Sequence, residues 1–215
     1  MGLTKTMHPA AIVLLLLSWS AVLGQTIDPR DQRFWNDKFS DPTTQFRRAP
    51  SRLLVDAIRG RKPGMAIDLG MGEGRNALFL AQQGWTVTGV DLSNVAVAQA
   101  RKRAAQLGLH IHAVVDNVDH FELGKDRWDL IALFYMHAWY RGSKPSSVVR
   151  LKQALKPGGI LVIEGFAGKD SYLFQPNELV RDFLDLHILR YEDLRGEADW
   201  APGELSHIVR FVAEK

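Results

Sequence analysis

The chain has 215 residues, 46% apolar and 24% charged, which fits one α/β domain and excludes disordered, collagenous and coiled-coil classes. Its 27 basic and 24 acidic residues leave a formal charge of +3, far from the basic footprint of a dedicated nucleic-acid binder. Cysteine is absent, so disulfides, thiolate metal sites, thiol nucleophiles and a lipid-modified cysteine anchor are excluded.

Residues 1–24 read as a leader. Lys5 stands in a short polar start, the apolar run Ala10–Leu17 follows, and Ser18–Leu23 carries it to Gly24. That three-part layout is a secretory signal peptide, with cleavage expected after Gly24. The apolar run falls short of the roughly 20 residues of a comfortable membrane span, which makes a retained anchor the second reading. A mis-called start, with Met7 as the true one, is the third. Export or a periplasmic location follows from cleavage, membrane attachment from retention, and a cytoplasmic location from the third reading.

Residues 25–63 form a polar lead-in with aromatic islands at Phe34, Trp35, Phe39 and Phe46. Ser51–Ile58 has helical apolar spacing and ends at Gly60. Position and composition predict that Phe34–Phe46 folds over a binding crevice as a lid. From residue 64 to 215, short apolar runs alternate with helical stretches. The runs are Met65–Leu69, Trp85–Val90, Ile111–Val115, Trp128–Phe134, Ile160–Phe166, Leu186–Tyr191 and His207–Ala213. The helical stretches are Ala77–Gln83, Val95–Leu107, Ser146–Leu155 and Pro176–Leu184. This alternation argues for a mostly parallel sheet covered on both faces. Ser93 caps the helix that Gly108 ends, and Asn177 with Glu178 starts another. Val95, Val97, Ala98 and Leu107 give the first of these helices an apolar face, with Arg101-Lys102-Arg103 on the solvated side. Lys156-Pro157-Gly158-Gly159 reads as a hard turn. Glu192–Ser206 offers no crossover helix, so the terminal strand is expected antiparallel to its neighbours.

Chemistry concentrates in Ala66-Ile67-Asp68-Leu69-Gly70-Met71-Gly72-Glu73-Gly74-Arg75-Asn76. A buried strand runs into a glycine-dense turn and straight into a helix, where a ligand can approach backbone unobstructed by Cβ atoms. A dinucleotide fingerprint needs its third glycine where Arg75 stands, and no Gly-Lys-Ser/Thr follows to make a P-loop. The next strand ends at Asp91, about 20 residues on, where a carboxylate can accept from both ribose hydroxyls; a helix cap is its plain alternative. The third strand ends at Asp116-Asn117, placed for an adenine or for an ordinary turn. Nothing provides for a pyrophosphate, so the inferred ligand is a nucleoside with a non-phosphate tail.

These residues resemble the class I S-adenosylmethionine-dependent methyltransferases, closest to the small-molecule branch that includes the tellurite-resistance type. The similarity is carried by Asp68–Ala81, Gly84-Trp85, Val87–Ser93, Trp128–Ile131 and Leu155–Leu161, and runs from about Phe34 to Lys215. The resemblance implies a Rossmann-like seven-stranded sheet, mostly parallel, in the order 3-2-1-4-5-7-6 with strand 7 antiparallel. It implies S-adenosyl-L-methionine as cofactor and methyl transfer to a small molecule. Asp68, Gly70, Gly72 and Gly74 would shape the methionine end, Asp91 and Leu92 the ribose end, and Asp116 with Asn117 the adenine end. Met71 departs from a usually smaller residue and is expected to tighten the loop.

Past the fourth strand, Phe134–Tyr140 lies where the family's substrate pocket lies; His137 is the candidate general base and Tyr135 a positioning hydroxyl. No Asn/Asp-Pro-Pro-Tyr run is present, which argues against nucleic-acid or protein-amide acceptors. His110 and His112 share a strand face, but no third ligand is spaced to help them, so no metal is expected. Membrane contact is expected only through an uncleaved leader. Two rivals stay open: an exported or anchored protein that binds the nucleoside without turnover, and a polyamine synthase using decarboxylated S-adenosylmethionine. The second wants acidic residues in Phe134–Tyr140, which has none.

Overall fold

The structure is a computed structural model that describes residues 28–44, 46–198 and 201–215; the leader-like residues 1–24 lie outside them. Seven strands form one sheet: β1 (Met65–Leu69), β2 (Thr86–Asp91), β3 (His112–Val115), β4 (Trp128–Phe134), β5 (Leu155–Phe166), β6 (His187–Ala198) and β7 (Ala201–Glu214). Their order is β3-β2-β1-β4-β5-β7-β6. β1 to β5 pair in parallel, and β7 lies antiparallel to both β5 and β6. The fold is the expected Rossmann-like sheet. Among the described residues seven helices accompany it: α1 (Pro29–Ser40), α2 (Arg52–Ala57), α3 (Arg75–Gln82), α4 (Asn94–Gln106), α5 (His137–Gly142), α6 (Ser146–Ala154) and α7 (Glu178–Asp182). None among the described residues is long and apolar enough to cross a membrane.

The strands are apolar runs because both faces are covered, and alternate residues feed two cores. Ala66, Leu130, Ala132, Ile160 and Val162 meet Leu54, Leu80 and Val97 from α2, α3 and α4. Ile67, Ile131, Leu133, Leu161 and Ile163 meet Tyr140, Leu151 and Phe183 from the other side. Every strand of the parallel set thus presents its carboxyl end to one edge, where the loops carry the chemistry.

Three local expectations need correction. The buried face of α4 is Ala96, Val97, Ala100 and Ala104, whereas Val95 is only partly buried, Ala98 is exposed and Leu107 is 53% exposed. Small residues win that face because a Cβ at Gly74 would stand only 3.1 Å from the Ala100 Cβ. Lys156–Gly159 is drawn into β5 as an irregularity, since Gly158 N–H donates to the Lys215 carbonyl and Lys215 N–H to the Gly159 carbonyl. Gly159 permits this, because a Cβ there would lie 2.8 Å from the Trp128 carbonyl oxygen. Asn177 and Glu178 do start α7 as expected, with Asn177 at the N-cap in a left-handed conformation and its N–H donating to the Tyr191 hydroxyl. Glu192–Ser206 is largely paired ladder, not a connection.

Trp128 is fully buried at the start of β4, and its indole N–H donates to the Leu123 carbonyl at 2.7 Å. Trp128→Phe leaves that carbonyl buried without its donor. We expect unfolding free energy to fall by about 1–3 kcal/mol in urea titrations; an unchanged midpoint would contradict the packing described.

Candidate active site

Gly70, Gly72 and Gly74 all take positive φ, at 71°, 54° and 79°, which lets the chain turn from β1 into α3 within a few residues. Two bonds dock the turn on its neighbour, from Gly70 N–H at 2.8 Å and Met71 N–H at 3.1 Å to the Val90 carbonyl. A third is the functional latch. The Gly72 N–H donates to Asp91 Oδ2 at 2.8 Å, and the Ser93 N–H donates to Asp91 Oδ1 at 2.8 Å. Ser93 Oγ in turn accepts from Ala96 N–H and caps α4. Two residues divide the work at this corner: Ser93 caps the start of α4, and Asp91 ties loop to strand.

Asp68 is 1% exposed, and its Oδ2 is buried without a hydrogen-bond partner. Burial pushes its carboxyl up to about 7, against the opposing field of Arg75, and the nearby Asp91 adds to the rise. Burial likewise raises the Asp91 carboxyl, with the Ser93 and Gly72 N–H groups pulling it back. Asp116 continues the edge: its N–H donates to the Asp91 carbonyl, and its Oδ1 accepts from the Asn117 N–H at 2.7 Å. Asn117 Oδ1 accepts from the Asp119 N–H, so this corner also has the turn character of the plain reading. The structure brings Asp68, Asp91 and Asp116 to successive strand ends, joined through the loop backbone.

Met71 packs inward from the loop. Its side chain is 4% exposed and fills the space over Gly89, where a Cβ would lie 2.1 Å from its sulphur. The methionine beside the loop is Met136, whose thioether lies across Gly70. α1 borders the same edge. Gln32 donates to the Leu92 carbonyl, Asn36 accepts from the Ser93 hydroxyl and donates to Asn94, and the Phe39 ring stands 3.3 Å from where a Gly72 Cβ would be. Phe34 and Trp35 remain 54% and 43% exposed.

Beyond β4, Tyr135 has φ 59° and donates its hydroxyl hydrogen to Glu164 Oε1 at 2.6 Å. His137 starts α5, ringed by Phe166, Phe174 and Tyr172, with its Nδ1 buried and unpartnered. Burial lowers its pKa to about 4, so the imidazole is neutral at physiological pH. Sequence reasoning missed Glu164, Arg210, Met136 and the α1 anchors Gln32 and Asn36.

With this geometry in place, comparison with known proteins is informative. Residues 66–159 match the family described as "Methyltransferase domain". Hemagglutinin 1 of Eikenella corrodens is 29% identical over 151 residues, 66% of this chain and 50% of that protein. The probable S-adenosyl-L-methionine-dependent methyltransferase TehB of Haemophilus influenzae is 25% identical over 152 residues, 67% of this chain and 53% of that one. The crystal structure of TehB from Haemophilus influenzae superimposes with a TM-score of 0.68 at 23% identity, covering 84% of this chain and 67% of that one. Residues 66–159 thus match a methyltransferase domain, and the seven-stranded sheet shares its fold with TehB. The matches to those two relatives span about half the length of each.

The Asp68 carboxyl supplies a test with a definite sign. Its pKa is raised on folding, so the favourable contribution is complete below about pH 4 and is lost as pH climbs through about 7. Replacing it by an uncharged isostere removes that loss. We expect the Asp68→Asn variant of the ligand-free protein to gain on the parent by a few kcal/mol as pH rises from about 4 to about 8 in chemical denaturation. A difference constant with pH would contradict the buried carboxyl.

Proposed function

We propose that the chain transfers a methyl group from S-adenosylmethionine to a small-molecule acceptor by in-line displacement. The observation that carries this reading is the glycine turn latched by Asp91 beside the partnerless Asp68 oxygen. A buried carboxylate oxygen with no donor is costly, and a cationic amino group, such as that on the methionine end of the cofactor, would supply the missing donor. Gly70, Gly72 and Gly74 would leave room for that end. Asp91 has both oxygens fixed in place by backbone donors, and a carboxylate oxygen accepts more than one bond; it would hold the ribose hydroxyls, with Leu92 beside it. Asp116 and Asn117 would take the adenine. When bound, the sulfonium offers an electrophilic methyl group.

The residues of the chain would do the rest by positioning, which supplies much of the rate in such displacements. His137, neutral and buried, is in the state that can take a proton from the acceptor. Tyr135 would orient the acceptor through its hydroxyl. α1 would close the edge as a lid through Phe34–Phe46. Its test is limited proteolysis, where added S-adenosylhomocysteine is expected to protect that segment and unchanged cleavage would count against closure. Nucleic acid is not part of the reading, and membrane contact would come only through residues 1–24. Those residues enter it as an export or anchoring signal, checked by sequencing the amino terminus of the native protein. A start at Gln25 in an exported fraction supports cleavage; an intact Met1 or a Met7 start opposes it.

Calorimetry with S-adenosylhomocysteine tests the cofactor site. Asp91→Ala removes charge-assisted bonds and the latch together, so the expected loss of affinity is about 10- to 100-fold. Equal binding by parent and variant would sink the assignment. Binding without methyl transfer to any member of a broad acceptor panel would favour a binding protein over an enzyme.

A further inference from the structure

The carboxyl edge of β5 holds a charged group that the cofactor site does not use. Glu164 lies within the apolar run of β5 and is 0% exposed. It stands opposite Arg210 in the β5–β7 register, and its Oε2 accepts from Arg210 Nε at 2.7 Å. Its Oε1 accepts the Tyr135 hydroxyl hydrogen at 2.6 Å. The backbone closes the same pair, since Tyr135 N–H donates to the Glu164 carbonyl at 2.7 Å. Arg210 also reaches Glu192 at 3.5 Å, and Glu192 accepts from Arg190 at 2.7 Å. Two features here lack a stability rationale. A buried ion pair is often no better for stability than apolar residues of the same volume. A non-glycine residue with positive φ is sterically disfavoured, and such strain collects at functional sites. Both converge on Tyr135.

We infer that Glu164 and Arg210 are positioning residues that fix the polarity of the Tyr135 hydroxyl, and that the acceptor is an aromatic ring bearing a hydroxyl or amine nucleophile. This rests on the methyltransferase reading above. Both Glu164 oxygens already accept, one from Arg210 and one from Tyr135. The phenolic hydrogen is thereby committed, and toward any further group the Tyr135 oxygen can only accept. It therefore recognises an acceptor that brings a hydrogen on its nucleophilic atom. A thiolate or an oxyanion brings none and sets negative charge against the phenol's lone pairs. The ring preference comes from the surrounding aromatics: Tyr135 lies 5.2 Å from Phe166, His137 lies 5.6 Å from Phe166 and 6.5 Å from Tyr172, and Tyr172 is 52% exposed. In the transfer, the nucleophile's lone pair forms the bond to the methyl carbon and sulphur keeps the electrons of the bond that breaks. The acceptor's hydrogen leaves as a proton to the neutral His137 imidazole, and Tyr135 retains its own.

Glu164→Gln is the discriminating variant. With Arg210 donating to the amide oxygen, the amide N–H faces Tyr135 and donates to it, which turns the phenolic hydrogen toward the acceptor. Tyr135→Phe, which deletes only the hydroxyl, serves as the second variant should the first fail to fold. The probes are phenol, aniline and thiophenol, the last a thiolate at about pH 8. We expect the parent to favour phenol or aniline. In both variants the ratio of kcat/KM for phenol to that for thiophenol should fall by about 10-fold, chiefly through KM for phenol. A second readout needs no turnover: on protein loaded with S-adenosylhomocysteine, the parent should bind phenol more tightly than anisole, and Glu164→Gln should lose that preference. An unchanged ratio in both variants, or a parent that binds S-adenosylhomocysteine yet methylates neither phenol nor aniline, overturns the inference. Failure of the parent to bind S-adenosylhomocysteine overturns the methyltransferase reading itself, a separate result.

Discussion

One carboxylate holds the arrangement together. Asp91 ends β2, yet its two oxygens reach the Gly72 N–H on the loop after β1 and the Ser93 N–H at the threshold of α4. Strand, glycine turn and helix start are therefore a single hydrogen-bonded unit. Each donor is a backbone group that a buried turn would otherwise leave unsatisfied. The latch also explains the spacing of the segment, since α1 anchors to the same corner through Asn36 and the Ser93 hydroxyl. A change at Asp91 reaches all of these elements at once.

Charge on this edge works against stability. Asp68 and Asp91 are nearly buried, and burial raises the carboxyl of each, with Arg75 opposing the rise at Asp68. Contrast the Arg141–Glu178–Lys144–Asp182 group, where charges of opposite sign meet and join α5 to α7. That cluster pairs its charges with opposite ones, whereas Asp91 on the strand edge is held by backbone N–H groups.

Much of this was legible in the residues. β1 and β4 fall on the segments their apolar runs delimit, Ser93 caps α4 as its hydroxyl suggests, and the missing crossover after Glu192 marks the antiparallel β7. That Asp68, Asp91 and Asp116 fall at the ends of neighbouring strands was legible from where the apolar runs stop. What escaped was long-range. Helical spacing around Val95 and Leu107 gave no hint that Gly74 presses on Ala100 and reserves that face for alanines. Pro157-Gly158-Gly159 reads as a turn in isolation, but Lys215 pairs with it and makes it sheet. Glu164 and Arg210 each sit as one charge in an apolar run; that mismatch was a signal, though only their cross-strand register shows that they answer each other.

The account's central claim is that a sulfonium-bearing nucleoside lies across the turn that Asp91 secures. Residue-resolved amide hydrogen exchange with and without S-adenosylhomocysteine measures this where it matters. The account predicts slower exchange at residues 69–74, 91–94 and 116–117, with the strand β6 unaffected. Exchange at those three segments that is indifferent to the ligand would contradict it.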